Sequence, residues 1–243
     1  QELSNEYCQP LDNSEPLLFR GFEVRSGHGL HHTQAHVVSD SSSSSQERWL
    51  LGTSTGVSNT AWFLPPKTVF AIPPNAKLCF DTHAVNTTSD PIQIVVELGL
   101  YLAEPAPDLR RATMMFAQTE QIDLPPATAK TVSFDCEAAQ DMTLIAVTPH
   151  THTLGTNLRV SRDGTLVTEW DTLWDAPWRD LTLKLAAGDR LHVECDYANT
   201  TSNTVVYGTT TDKEMCMLAG FYVPGAGTQA DVDQSLGCTF VAP

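Results

Sequence analysis

The sequence predicts an all-β protein built as two antiparallel sandwich domains. Apolar runs of strand length alternate with polar residues, turn residues and fifteen prolines separate them, and no long stretch has helical periodicity. At 243 residues the chain can bury a sizeable core in one large or two medium domains.

Leu17 to Val24 and Gly29 to Val38 read as the first two strands. The low-complexity stretch Ser39 to Ser45 can bury little apolar surface and reads as a flexible loop. Two strand-like runs flank Pro73-Pro74-Asn75, and Ile92 to Leu102 reads as a β-branched, apolar strand. That strand ends at Ala103-Glu104-Pro105-Ala106-Pro107, which places the domain boundary and gives domains of 1–106 and 107–243. Further on, Thr143 to Val147 leads into a histidine pair, and Leu158 to Leu166 resembles a hairpin turning at Asp163-Gly164. Leu191-His192-Val193-Glu194-Cys195 alternates apolar with polar. No short-period repeat is present, which argues against a solenoid or a propeller.

Lys plus Arg number 14 against 29 Asp plus Glu, a formal charge of -15 that repels nucleic acid and anionic membrane surfaces. No apolar run approaches the roughly 20 residues of a membrane-spanning helix. The sequence opens at Gln1 without a signal peptide, as expected of a mature or trimmed chain. The six cysteines (Cys8, Cys79, Cys136, Cys195, Cys216 and Cys238) lack the close C-x-x-C spacing of zinc ribbons and redox motifs. Their even number predicts an oxidised, secreted or periplasmic protein, with the connectivity left open by spacing. Asn86-Thr87-Thr88 and Asn199-Thr200-Thr201 are glycosylation acceptors in a host with that machinery.

The most informative stretch is Pro149-His150-Thr151-His152-Thr153-Leu154-Gly155. Read as a strand, it projects His150 and His152 from one face about 7 Å apart, able to converge on one ion. Imidazole suits copper, zinc, iron and nickel alike, so a third ligand must decide the metal. Met215, in Asp212-Lys213-Glu214-Met215-Cys216-Met217, is one candidate. Taken alone a methionine is usually a core gap-filler, but a thioether added to two imidazoles favours a copper that cycles through Cu(I). A disulfide at Cys216 could anchor it.

A second cluster is Gly29-Leu30-His31-His32-Thr33-Gln34-Ala35-His36. Adjacent strand residues face opposite ways, so His31 and His32 reach one ion only through a bulge; otherwise one is buried and one solvated. His83 could be their distant partner and His36 a substitute, whereas His28 reads as a turn residue and His192 as a solvated or hydrogen-bonded strand residue. Gly52-Thr53-Ser54-Thr55-Gly56 matches a nucleophile elbow in letters only, because its polar setting lacks the strand-turn-helix context. Walker A and dinucleotide fingerprints are absent, and no carboxylate pair stands out for glycosidase chemistry.

The ordered set His31-His32, His83, His150-x-His152 and Glu214-Met215-Cys216 resembles the copper type II, ascorbate-dependent monooxygenases, the family of peptide-amidating and dopamine-hydroxylating enzymes. Gly21-Phe22-Glu23, Ala61-Trp62, Gly99-Leu100-Tyr101-Leu102 and Cys195-Asp196-Tyr197 extend the likeness over most of the chain. The second-domain pattern is the more specific part. The resemblance implies two jelly-roll-like β-sandwich domains, each holding one copper across a solvent-filled cleft. It implies that His31, His32 and His83 hold the electron-donating copper, and that His150, His152 and Met215 hold the copper that meets O₂ and substrate. It further implies hydroxylation of a C–H bond of a small molecule, with O₂ as cosubstrate and ascorbate or another one-electron reductant. One oxygen atom would enter the substrate and the other become water. The disulfides it implies are Cys195–Cys216, Cys136–Cys238 and Cys8–Cys79.

The chain departs from the family pattern at several positions. Thr33 stands where a Met usually follows the His-His pair, His36 is extra, and the first domain is short. The amidating enzymes bind a peptide carboxylate through an Arg two residues before the H-x-H pair, where this chain has Thr148. Their Asn and Tyr substrate contacts after the Met ligand are replaced by Met217 and Ala219. These changes disfavour peptide amidation. The resulting expectation is a secreted or periplasmic copper monooxygenase of two domains. The alternatives are a noncatalytic copper-binding protein on the same fold and a β-sandwich interaction module whose histidines bind no metal.

Overall fold

The computed structural model describes residues 2–26, 30–41, 44–52, 61–173, 176–225 and 238–241, with the backbone alone at 2, 26, 30–32, 39–41, 44–52 and 238–241. The described residues contain no helix and form strands throughout, as expected of an all-β protein. No helix among them is long and apolar enough to cross a membrane. The chain divides into two compact units, one built on Gln1–Met114 and the other on Met115–Thr228 with Leu236–Pro243.

The first unit holds β1 (Glu2–Pro10), β2 (Leu17–Ser26), β3 (Leu30–Ser41), β4 (Ser44–Gly52), β5 (Ala61–Phe63), β6 (Thr68–Ile72), β7 (Lys77–Val85), β8 (Val96–Leu102) and β9 (Arg110–Arg111). One sheet runs β1-β7-β3-β4; the other runs β5-β2-β6-β9, with β8 also paired to β2. Phe19, Phe22 and Val24 of β2, Ala35 and Val37 of β3, and the wholly buried β6 supply its core. Cys8 and Cys79 are register partners on β1 and β7 and are disulfide-bonded, so the bond staples an edge strand to its neighbour.

Two expectations change here. The Ser-rich stretch is not a loop along its length: β3 runs to Ser41 and β4 starts at Ser44, with Ser39 opposite Gln46 and Asp40 opposite Ser45. Ladder hydrogen bonds use backbone groups, so serines can extend a hairpin that more apolar residues register elsewhere. The strand expected from Ile92 begins only at Val96.

The second unit holds β10 (Thr113–Thr119), β11 (Asp123–Leu124), β12 (Thr128–Ala138), β13 (Met142–His150), β14 (Gly155–Arg162), β15 (Thr165–Trp170), β16 (Arg179–Leu185), β17 (Arg190–Asn199), β18 (Val205–Val206), β19 (Cys216–Pro224) and β20 (Cys238–Val241). Sheet β10-β19-β13-β16 and sheet β15-β14-β17-β12-β20 share one apolar core. Along β17 every second residue points inward: Leu191, Val193, Cys195, Tyr197 and Asn199 are buried while the residues between them are part-exposed. Val132, Phe134 and Cys136 of β12 and Leu158 and Val160 of β14 continue that layer. The β14–β15 hairpin turns through Asp163 and Gly164, both at positive φ, the two-residue turn that an Asp-Gly pair favours.

Cys195 of β17 is bonded to Cys216 of β19 and therefore ties the two sheets together. Its ring spans 21 residues, for which the chain-entropy account gives about 3 kcal/mol. Cys136 is also disulfide-bonded, and β20 lies alongside it with Cys238 opposite Ala138. The side chain of Cys238 lies outside the described residues.

Both sequons close the same side-chain turn. Asn86 Oδ1 accepts the Thr88 amide and hydroxyl, and Asn199 Oδ1 accepts the same two groups of Thr201. Asn199, only 2% exposed, also donates through Nδ2 to the carbonyls of Leu124, Pro125 and Asn203. Removing it takes the donor from the carbonyl of buried Leu124 and from the part-buried bonds to Pro125 and Asn203, and a buried carbonyl left unsatisfied costs about 1–3 kcal/mol. Asn199→Ala should therefore cost about 3 kcal/mol in urea unfolding, while Asn86→Ala, whose turn is exposed, should cost less than about 1 kcal/mol. Equal costs would contradict this account of the buried turn.

Candidate metal centre

β13 carries the first histidine of the H-x-H pair and then ends. Met142, Leu144 and Val147 bury into the core, and the strand stops at His150, opposite Met217 of β19. His152 therefore does not continue the strand, contrary to the alternation expected from sequence. The chain leaves the sheet after His150, yet the two imidazoles still meet, with ring centroids 5.3 Å apart and planes at 88°.

The departure is held by Glu214. Its carboxylate is fully buried and accepts three backbone amides: His152 N at 2.8 Å, Leu154 N at 2.7 Å and Met215 N at 3.3 Å. The loop after β13 and the segment entering β19 are thereby locked to one side chain. Burial pushes the Glu214 carboxyl up, against the three amides that hold it down. Gly155 completes the bend, because a Cβ there would overlap the side chains of Thr151 and Leu173.

His152 is oriented by a second bond. Its Nδ1 lies 2.9 Å from the Lys213 carbonyl, which can only accept, so Nδ1 carries the proton and Nε2 is the nitrogen whose lone pair a metal would take. A ring nitrogen fixed by a backbone carbonyl is the usual arrangement behind a metal-binding imidazole. Met215 follows Glu214 directly and is buried. Tyr197 reaches from the opposite sheet to donate its hydroxyl to the Met215 carbonyl at 2.6 Å, and the next residue is the disulfide-bonded Cys216. Burial, followed by the Glu214 charge, pushes the Tyr197 phenol up, so it stays a donor. Were the Met215 sulfur to join the two imidazoles the set would suit Cu(I), and the backbone of His152 and Met215 is held by Glu214 and Tyr197.

The face of β13 and β19 that carries His150 is apolar. His150 pairs with Met217, Thr148 with Ala219 and Ala146 with Phe221, and Trp178 stacks on Phe221 at 4.4 Å. The Thr148 hydroxyl is turned to the Ala176 carbonyl. No cationic side chain occupies these positions.

In the first unit, His83 of β7 is buried and pairs in register with His32 of β3. The β3–β7 ladder shifts between Leu30 and His32, an irregularity at His31 of the kind that a shared ion would require. His28, Thr53 to Gly56 and the side chains of His31 and His32 lie outside the described residues. His36 is buried on the same sheet. His192 is bonded through Nδ1 to Asp135 at 2.7 Å on a half-exposed sheet face, in keeping with a hydrogen-bonded strand residue.

Sequence reasoning missed the functions of Glu214 and Tyr197. A carboxylate embedded in Glu214-Met215-Cys216-Met217-Leu218, at the start of an apolar strand, was the available signal for the first. Glu214→Gln keeps the shape but turns an amide donor toward a backbone amide. It should cost about 3 kcal/mol of stability and weaken metal retention at His152 more than at His83, as read by denaturant melts and metal analysis. Unchanged melting and metal content would remove Glu214 from the site's support.

Comparison with known proteins places this geometry in a family. Residues 111–232, half of the chain, match the family described as copper type II ascorbate-dependent monooxygenase, C-terminal domain. No curated protein matches. Among solved structures, the chain is similar to the major capsid protein P2 of bacteriophage PM2 at 6% identity and a TM-score of 0.44, covering 93% of this chain and 94% of that one. It is also similar to a β-porphyranase of glycoside hydrolase family 86 from Bacteroides plebeius at 7% identity and a TM-score of 0.21, over 90% of this chain and 35% of that one. At such scores neither structure carries an argument about function. With its matched domain containing His150, His152, Glu214 and Met215, the chain belongs to the copper type II, ascorbate-dependent monooxygenase family.

Proposed function

We propose that this protein is a two-copper monooxygenase that hydroxylates a C–H bond of a small-molecule substrate, using O₂ and ascorbate or another one-electron reductant. His150, His152 and Met215 hold the copper of the second unit, and His31, His32 and His83 hold the electron-donating copper of the first. The observation that carries the reading is the His152 ring, its Nδ1 committed to the Lys213 carbonyl while it meets His150, with Glu214 binding the backbone amides of both His152 and Met215. When bound, copper supplies one-electron redox chemistry toward O₂.

The chain's own residues supply geometry and surroundings. Glu214 fixes the backbone of His152 and Met215, so these two residues would be held in place for a metal. A bound cation also offsets the buried Glu214 charge. Met217 opposite His150, with Ala219 further along the same face, offers apolar surface suited to presenting a C–H bond rather than a charged group. Thr148 offers no cation for a carboxylate, so C-terminally glycine-extended peptides are not the substrates. The disulfides fit work in an oxidising compartment, secreted or periplasmic.

Copper analysis separates the enzyme from its rivals. Loaded anaerobically with Cu(I) and desalted, the protein should retain two coppers per chain, and His83→Ala and His152→Ala should each remove one. Ascorbate-dependent O₂ uptake coupled to substrate hydroxylation distinguishes an enzyme from a copper carrier. No retained copper would reject both.

Met215→Ile tests the thioether separately. An apolar side chain of similar size should cost less than about 1.5 kcal/mol if packing were its whole contribution. The variant should keep its fold and its first-unit copper, bind Cu(I) more weakly at His150 and His152, and lose reductant-dependent turnover. Unchanged Cu(I) affinity would show that Met215 only packs.

A further inference from the structure

The sheet β1-β7-β3-β4 carries a second constellation that the copper reading does not use. Glu6 of β1 pairs in register with Asp81 of β7, and Asp81 pairs with Gln34 of β3. His36 lies two residues beyond Gln34 on β3, so it belongs to the same face and is a diagonal neighbour of Asp81. The side chains converge. His36 Nδ1 lies 3.1 Å from Asp81 Oδ2, and His36 Nε2 lies 3.9 Å from Glu6 Oε2. One ligand atom from each of the three residues falls within 4.8 Å of the others.

We propose that Glu6, His36 and Asp81 form a site for a borderline divalent cation, of which zinc is the representative. Two carboxylates set opposite each other on adjacent strands repel, and the chain already carries a charge of -15. A protonated His36 would leave the trio with a net negative charge, whereas a divalent ion with neutral imidazole balances both carboxylates. The donor set selects among ions. Imidazole is an unusual partner for magnesium or calcium, and two hard carboxylate oxygens disfavour Cu(I). One nitrogen and two oxygens with positions left for water suit zinc.

Burial gives the site a floor and a rim. His36 is 2% exposed, whereas the side chains of Glu6 and Asp81 are 57% and 38% exposed, leaving an approach from solvent. The ion would tie three strands together, joining the edge strand β1 to β7 and β3 one row along from the Cys8–Cys79 staple. His83 lies two residues from Asp81 on the same face of β7. The site is therefore a neighbour of the proposed first-unit copper site and uses a separate set of ligands.

The full chain, preloaded with Cu(I), is titrated with Zn²⁺ and desalted. One zinc should be retained per chain, bound at least tenfold more tightly than by a Glu6→Gln/Asp81→Asn double variant. His36→Gln should behave like the double variant, and Cu(I) content should be the same in all three proteins. The isosteric amides replace part-exposed groups, and recovery of the Cys8–Cys79 peptide under nonreducing conditions verifies that β1 remains paired. Equal zinc retention by the wild type and the double variant, or none by the wild type, overturns the proposal. A failure to load copper would count against the monooxygenase reading alone, because the zinc difference reports other residues.

Discussion

The buried carboxylate of Glu214 is the constraint on which the second unit's site depends. Three backbone amides converge on it from two chain segments about 60 residues apart in sequence: His152 and Leu154 after β13, and Met215 before β19. Each such charge-assisted bond is worth about 1.5–3 kcal/mol, while burying the carboxylate costs several. The arrangement ties the loop that leaves the sheet after His150 to the backbone of Met215, and His152 lies beside His150.

The sandwich supplies the rigidity that one side chain cannot. Tyr197 and Cys195 both project inward from β17, and both reach the same short segment of the facing sheet, at Met215 and Cys216. The core alternation of β17 thus sets the position of the Met215 backbone as well as the packing. The first unit solves its problem differently. Its proposed ligands lie along the two ladders of β7, with His83 opposite His32 and Asp81 opposite both Glu6 and Gln34, so register decides which residues share a face.

Legibility in the sequence followed the range of the interactions involved. The Asp163-Gly164 turn and the alternation of β17 were readable because both express local backbone chemistry. The His150 and His152 pair was recognised for a partly wrong reason. Strand periodicity placed both on one face, whereas His152 owes its position to an acid 62 residues away. The pairing of β1 with β7 and the Ser39–Ser45 hairpin were not legible, since each depends on ladder partners rather than on composition. Family resemblance, not spacing, supplied the disulfide between Cys195 and Cys216 that the structure contains.

X-ray absorption of the His83→Ala protein loaded with one equivalent of Cu(I) tests the central claim most directly, because it reads the second-unit copper by itself. The account predicts a shell of two imidazole nitrogens and one sulfur around that copper, the sulfur disappearing in His83→Ala/Met215→Ile. A spectrum without a sulfur shell, or one unaffected by loss of Met215, would contradict it.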